Sequence, residues 1–185
     1  MTRSRTWAVA RLPWPIVTID FEASSLAKDS YPIEVGIARW ERPERPIGVW
    51  STLIRPPEEW RSRIWSDQSQ QVHGIRREDL EGGMDAADIV PILDRLVGRQ
   101  AFCDGGQHDL RWLAGLEDAA GRETSFILRD WDSVGGALHA SQWKRMTKWR
   151  DRRPARHRAG DDAERLVKGL AAGLALTYGQ VRRLE

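Results

Sequence analysis

The first third of the chain holds short apolar runs separated by polar turns, and the remainder spaces its apolar residues as helices do. Residues 16–19 are mostly β-branched and predict a buried strand. Residues 32–40 alternate well enough for a second strand, and residues 48–55, bounded by Pro46 and Pro56, predict a third. Because these segments follow one another closely, we expect an antiparallel meander.

The rest of the chain predicts helices separated by two further strands. A stop signal at Gly74 ends a short helix, and longer helical patterns follow it. The predicted helices are 66–73, 86–97, 109–120, 133–140 and one marked by Ala163, Leu166, Val167, Leu170, Ala171 and Leu174, and the predicted strands are 101–103 and 126–131. This order predicts an α/β fold with a mixed central sheet of about five strands flanked by helices.

Length and composition indicate one domain. The chain has 185 residues, of which 41% are hydrophobic and 30% charged, as in an ordinary globular protein. We expect a folded domain over residues 15–176, a basic N-terminal tail over 1–14 and a C-terminal tail over 177–185. No apolar run approaches the roughly 20 residues that cross a bilayer, and the N-terminus lacks the apolar core of a signal peptide. A cytoplasmic location and no membrane partner are therefore expected.

Two carboxylates, Asp20 and Glu22, stand two residues apart at the end of the first predicted strand. On a strand this spacing puts both side chains on one face, where like charges repel. Proteins accept such a pair mainly where a cation lies between the two groups. A strand that simply ends in solvated acids is the ordinary alternative.

Two more carboxylates occupy the starts of predicted helices. Asp109 follows a strand and a Gly-Gly turn, and Asp162 opens the last helix, five residues after His157. Sites in such sheets form where strands end and helices begin, so all four carboxylates could converge on one rim. Each of the two could instead be an acid favoured by the helix macrodipole. We assign the remaining histidines to surface or capping positions: His73, His108 and His139.

Convergence of four carboxylates would favour a hard cation, Mg²⁺ or Mn²⁺. The single cysteine excludes an intrachain disulfide and a cysteine-based zinc site. Two such ions, about 3.5–4 Å apart, stabilise the attacking and leaving oxygens of a phosphoryl displacement. We expect Asp20 to bridge them, with Glu22 and Asp162 on one ion and Asp109 on the other. A neutral His157 could accept a proton from the attacking water.

These residues resemble the three motifs of the DEDDh 3′–5′ exonucleases, the DnaQ-like group of the RNase H-like superfamily. Asp20 and Glu22 match the first motif, Asp109 the second, and His157 with Asp162 the third, which residue 159 completes as His-x-Ala-x-x-Asp. Residues 72–75 also resemble the family's segment after the third strand. Residues 23–26 depart from the usual Thr-Thr-Gly-Leu, and residues 104–109 lack the Asn and Phe that usually accompany the second motif.

The resemblance implies an exonuclease fold and a metal-dependent hydrolysis of phosphodiester bonds that releases nucleoside 5′-monophosphates from a 3′ end. By this resemblance the four carboxylates hold two Mg²⁺ or Mn²⁺ ions, and His157 is the general base. Leu26 and its neighbours would contact the terminal nucleotide.

A basic stretch leads directly to the third motif. Residues 143–158 hold eight Lys or Arg and one Asp, which leaves 21 basic and 26 acidic residues in the rest of a chain of net charge +2. Because single-strand channels combine such charge with aromatic platforms, we expect this stretch, interpreted as a loop, to bind nucleic acid. The predicted contacts, besides Leu26, are Trp65, Lys144, Arg145, Lys148, Trp149, Arg152 and Arg153. Most of the ten tryptophans, Trp112 among them, are expected in the core or half-buried.

The expected partners are single-stranded DNA or RNA 3′ ends. A catalytically weak or inactive binding protein with the same fold is the second interpretation, and the complete set of motif residues argues against it. A third, an unrelated metal hydrolase acting on a small phosphate ester, is disfavoured by the basic stretch. The sequence does not distinguish DNA from RNA, and it leaves open whether the chain forms a homodimer.

Overall fold

Six strands form one mixed sheet in the structure, a computed structural model that describes residues 9–185. The strands are β1 (Ile16–Ala23), β2 (Pro32–Trp40), β3 (Ile47–Leu53), β4 (Gln100–Cys103), β5 (Ile127–Asp130) and β6 (Arg182–Arg183). Their order across the sheet is β5-β4-β1-β2-β3-β6. Most of the predicted N-terminal tail, with Arg3 and Arg5, lies outside the described residues.

The expected meander is confirmed, because β1 pairs antiparallel with β2 and β2 antiparallel with β3. β4 runs parallel to β1, and β5 runs parallel to β4. The carboxyl ends of β1, β4 and β5 therefore share one edge of the sheet. Side chains at the ends of these strands meet there.

Helices cover both faces of the sheet. They are α1 (Asp67–His73), α2 (Ala86–Val97), α3 (Gln107–Ala120), α4 (Asp132–Gly135), α5 (Ala140–Asp151) and α6 (Ala159–Leu174). α2 and α3 enclose the larger core through Leu93 and Leu113, and α6 encloses a second core on the opposite face through Leu166 and Leu170. α5 packs against α6. The predicted α/β fold with a helix-flanked mixed sheet is thus confirmed.

The basic stretch is largely a helix, α5, and not the loop that we expected. Lys and Arg are good helix formers, and Met146 gives the helix a buried side. α5 packs closely against α6 because two residues of α6 are glycines. A Cβ on Gly173 would lie 2.9 Å from the Gln142 carbonyl oxygen, and a Cβ on Gly169 would lie 3.0 Å from the Arg150 side chain. The run of charges obscured this amphipathic pattern.

Two details of the chain ends and connections also differ from expectation. The helix predicted at 133–140 is confined to the short α4, which ends at Gly135, and glycine is a poor helix former. In the predicted C-terminal tail, β6 pairs with β3, and the Leu184 N–H donates to the Val49 carbonyl at 2.8 Å. Over residues 9–185 no helix is long and apolar enough to cross a membrane.

Candidate active site

β1 places Asp20 and Glu22 on the face of the sheet that α6 covers. Phe21, between them, joins the larger core, so its two neighbours point to the opposite face. Two residues before Asp20, the Thr18 hydroxyl donates a hydrogen bond of 2.7 Å to the Ala163 carbonyl of α6. This bond ties α6 to the strand that carries both carboxylates.

Asp109 reaches the same edge from the first turn of α3. β4 lies beside β1 and ends at Cys103, and the following turn carries the chain over the carboxyl end of the sheet. The Gly105 backbone N–H donates to Asp109 Oδ2 at 2.9 Å, and the Asp109 side chain is buried. A Cβ on Gly105 would lie only 2.6 Å from this carboxylate, so the Gly-Gly turn is what lets Asp109 fold back over the strand end.

The start of α6 brings His157 and Asp162 to Glu22. The buried Asp162 accepts hydrogen bonds from the backbone N–H groups of Arg156 at 3.0 Å and His157 at 2.8 Å. His157 is exposed, with a φ of 55° in the left-handed region. In the described part of the chain, one ligand atom from each of Glu22, His157 and Asp162 lies within 4.8 Å of the other two. Residues from the first and third motifs therefore meet at one point.

The clustered carboxylates raise one another's pKa. Burial raises the pKa of Asp20 well above its ordinary value, and the charge of Asp109 adds to the shift. Burial, followed by the charge of Asp162, raises the pKa of Glu22 to about 8. Burial raises the pKa of Asp109 to about 6, although its hydrogen bond from the backbone lowers it. The raised pKa values show that protein cations do not fully compensate these carboxylates when they are ionised, so the site favours a bound proton or another cation.

This donor set fits a hard divalent cation. Within residues 9–185, neither the Asp20 nor the Glu22 carboxylate accepts a hydrogen bond, so their side-chain oxygens are available as ligands. A divalent ion would supply the missing positive charge, and carboxylate oxygens are the ligands that Mg²⁺ and Mn²⁺ prefer. Asp109 and Asp162 retain acceptor capacity after their backbone hydrogen bonds.

An apolar cavity of about 310 Å³ opens beside Glu22 and His157. Leu26, Val72 and Trp112 contribute to its wall. Leu26 is 70% exposed and Val72 50% exposed, so large apolar side chains face solvent directly beside charged groups. Such an arrangement suits a flat or apolar ligand group attached to a charged one. Trp112, expected in the core, is buried and also forms part of this wall.

Trp65 lies next to this region but is not among the residues that line the cavity. It is half-buried, and its indole N–H donates to Gln70 Oε1 at 3.0 Å. Its ring packs edge-on against His73, with 6.3 Å between centroids. His73 is itself buried, contrary to a surface position, and its Nδ1 accepts from the Ile75 N–H at 3.0 Å. Trp65 thus supports the cavity from behind, through its contact with His73, which lines it.

A second cavity, of about 480 Å³, includes Asp162 in its lining. Trp149, Arg153, Arg156 and Lys168 also line it. The Arg153 guanidinium lies over the Trp149 ring, 4.5 Å from the centroid. Cations and an aromatic ring therefore adjoin one of the candidate metal ligands.

The other basic residues of α5 point in several directions. Arg145 donates to the Gly173 carbonyl at 2.6 Å, at the opposite end of α6 from the carboxylates. Arg150 pairs with Asp104, in the turn that precedes Asp109. The remaining predicted contacts are exposed, with Lys144 and Lys148 on α5 and Arg152 directly after it.

Sequence reasoning missed two residues that build this site, Glu34 and Gly36. Both lie on β2, opposite Glu22 and Asp20 respectively. Glu34 is only 3% exposed, and Gly36 lies directly beneath the first turn of α6. The available signal was an acid and a glycine on a face of β2 whose other residues are apolar.

Comparison with known proteins gives matches at the level of three-dimensional structure alone. No protein-family model matches the chain, and no curated protein does. The first similar solved structure, described as "3′-end specific recognition of histone mRNA stem-loop by 3′-exonuclease", has a TM-score of 0.65 and 13% identity. A full-length 3′-exonuclease has a TM-score of 0.54 and 14% identity, and cell-death related nuclease 4 has 0.50 and 14%.

These matches extend over most of the chain. They cover 88%, 83% and 87% of it, in the same order. The chain spans 64% of the first structure, 78% of the second and 64% of the third. At such low identity the similarity shows a shared fold, a mixed sheet flanked by helices, that the chain has in common with these solved structures.

Proposed function

We propose that this chain is a metal-dependent 3′–5′ exonuclease of the DEDDh type, acting on single-stranded nucleic-acid ends and releasing nucleoside 5′-monophosphates. The observation that carries the proposal is the meeting of Glu22, His157 and Asp162 within 4.8 Å, in a fold shared with 3′-exonucleases. Asp20 and Asp109 contribute to the same negative charge.

Four carboxylates would hold two Mg²⁺ or Mn²⁺ ions: Asp20, Glu22, Asp109 and Asp162. When bound, the ions supply positive charge that stabilises the attacking and leaving oxygens of an in-line displacement. His157 would accept the proton of the attacking water, because its exposed ring can exchange that proton with solvent. The attack would break the bond between phosphorus and the 3′ oxygen of the preceding nucleotide, and that oxygen would take a proton from solvent to leave as a hydroxyl group.

Two cavities would receive the substrate on this proposal. The apolar cavity suits the terminal nucleoside, with Leu26 against its base or sugar and Trp65 supporting the surface from behind. The cavity lined by Trp149 and Arg153 would bind phosphates and bases of the adjoining strand. Further contacts with the phosphate backbone of the nucleic acid would come from Lys144, Arg145, Lys148 and Arg152. Of these, Arg145 already donates a hydrogen bond to the Gly173 carbonyl at the end of α6.

A digestion assay tests the proposal directly. 5′-labelled single-stranded DNA and RNA of matched sequence are incubated with Mg²⁺ or Mn²⁺, with excess chelator, and with a 3′-phosphate block. We expect metal-dependent stepwise shortening from the free 3′ end, with nucleoside 5′-monophosphates as the product. Asp20→Asn should abolish it, whereas Asp88→Asn, an exposed carboxylate of α2, should not.

Other outcomes of the assay would replace the proposal. Tight oligonucleotide binding without shortening, unchanged by Asp20→Asn, would identify a binding protein that keeps the exonuclease fold. Hydrolysis of small phosphate esters without any cleavage of oligonucleotides would identify a different metal hydrolase. The ratio of DNA to RNA digestion would decide the preferred substrate.

A further inference from the structure

We infer that Glu34 is a positioning residue, which holds the segment between His157 and Asp162 in place over Glu22. The inference rests on the proposed function for its effect on catalysis. Glu34 lies in β2 as the direct partner of Glu22 in β1, so both side chains project from the same face of the sheet. It is only 3% exposed.

Three donors engage the Glu34 carboxylate, and all come from the start of α6. Arg158 donates two hydrogen bonds in a forked arrangement, at 2.7 Å to Oε1 and 3.0 Å to Oε2. The Ala159 backbone N–H donates to Oε2 at 2.9 Å. Ala159 is the first residue of α6, and the side chain of the N-cap residue, Arg158, makes no capping hydrogen bond. Glu34 therefore satisfies a helix N–H that the local sequence leaves open.

Two carboxylates, Asp162 and Glu34, hold the backbone on either side of His157. On its N-terminal side, Asp162 accepts from the Arg156 and His157 N–H groups. On its C-terminal side, Glu34 binds the next two residues. The His157 backbone is in the left-handed region, with a φ of 55°, which a non-glycine residue adopts only when its surroundings hold it there.

The same contacts distinguish Glu34 from the metal ligands. Both of its carboxylate oxygens already accept hydrogen bonds from Arg158 or Ala159, whereas the carboxylate oxygens of Glu22 accept none within the described residues. Glu34 is also outside the group of Glu22, His157 and Asp162 whose ligand atoms lie within 4.8 Å. Its position is that of a residue acting through its neighbours.

Two variants test the inference, Glu34→Gln and Arg158→Met, alone and combined. Glu34→Gln keeps the size of the side chain but cannot form a forked ion pair. Because partners of metal and catalytic ligands contribute about 10–100-fold to activity, we expect kcat to fall by about that factor, with KM nearly unchanged. Arg158→Met should give a similar loss, and the double variant no larger one, since all three remove the same ion pair.

Amide hydrogen exchange in the metal-free protein gives a second readout that does not need activity. Glu34→Gln should accelerate exchange over residues 157–162 and leave α2 and α3 at wild-type rates. The matched control is Glu59→Gln, an exposed acid with no side-chain partner in the described structure, which should change neither readout. Arg158 is half exposed, so Arg158→Met should fold even where a change at the buried Glu34 does not.

Wild-type kcat together with wild-type exchange in Glu34→Gln and Arg158→Met would overturn the inference. Uniformly faster exchange across the whole sheet would also overturn it, because that result indicates general destabilisation. If the wild-type protein has no nuclease activity, the proposed function fails, and the exchange pattern over residues 157–162 still decides whether Glu34 positions this segment.

Discussion

Gly36 of β2 lies directly beneath Gly160 of α6, so closely that a Cβ on residue 36 would be 2.2 Å from the Gly160 backbone nitrogen. Gly36 is also the direct partner of Asp20 across the β1–β2 pair. The missing side chain at residue 36 therefore lets the first turn of α6 descend onto the sheet. This approach is what brings Asp162 within reach of the β1 carboxylates.

Replacing Gly36 with alanine should displace the start of α6. We expect Gly36→Ala to lower the free energy of unfolding by about 1–3 kcal/mol, the usual cost of overpacking, and to abolish most of the proposed nuclease activity. Chemical denaturation and the digestion assay measure the two effects. Gly82→Ala is the control, because a Cβ there would meet no atom within 4 Å. Equal activity in both variants would show that the close approach is not needed.

The raised pKa values predict how stability depends on pH in the metal-free protein. The pKa of Glu22 is raised from 4.5 to about 8 and that of Asp109 from 3.8 to about 6. Since both groups bind protons more tightly in the folded state, their contribution to stability is complete at acidic pH and is lost as pH rises through 6 and then 8. The melting temperature without metal should therefore fall between about pH 5 and pH 8.

Added Mg²⁺ or Mn²⁺ should reverse this loss. The ion binds the ionised carboxylates, so the increase in melting temperature should be larger at about pH 8 than at about pH 5, where protons compete with it. Glu22→Gln should flatten both dependences, and Asp88→Asn, on the opposite face, should leave them unchanged. A metal effect of equal size at both pH values would contradict the prediction.

The imidazole of His157 should matter for catalysis and not for folding. Asparagine tolerates the left-handed backbone that His157 adopts, so His157→Asn isolates the loss of the ring. We expect single-turnover cleavage to slow by about 10²–10⁴-fold, the range for a general base, at an unchanged melting temperature. His139→Asn, at the start of α5, is the control. A loss smaller than about tenfold would assign the proton transfer elsewhere.

Arg152 and Arg153 should contribute to nucleic-acid affinity through phosphate contacts. Each lost contact with a single strand lowers the slope of log affinity against log salt by about 0.7, so replacing both with alanine should reduce it by about 1.4. Fluorescence anisotropy of a labelled oligonucleotide at several salt concentrations measures the slope. Arg42→Ala/Arg99→Ala removes the same charge from exposed residues at the opposite edge of the sheet. An equal effect in both double variants would indicate non-specific attraction.

Local patterns predicted the elements whose buried face comes from their own residue spacing. α2 has the predicted bounds, 86–97, and β2 the predicted bounds, 32–40. α5 was missed, because its buried side consists of a few residues such as Met146 within a run of charges. The glycines that admit α5, Gly169 and Gly173, belong to a different helix. The residue pattern of α5 alone therefore cannot show that another helix has room for it.

In the candidate site, too, some features were visible in the sequence and others depend on packing. The kinds of residue that metal-dependent phosphoryl transfer needs, and the strand or helix end on which each lies, were visible in the spacing of Asp20, Glu22, Asp109, His157 and Asp162. The direction of Arg145 was not visible, since helical phase and packing turn it toward Gly173. The sequence does not show which neighbour each basic residue contacts, because packing decides that.

Sequence alone therefore predicted the carboxylates and the histidine of the candidate site and the elements that carry them, because residue type and period are local properties. Tertiary structure decided how closely those elements approach. Glu34 and Arg158 are 124 residues apart, and their ion pair exists only because β2 passes beneath α6. Gly36 allows β2 and α6 to come this close, because it has no side chain between the two backbones. Such a contact depends on the space between two segments, which the residue pattern of either segment alone does not reveal.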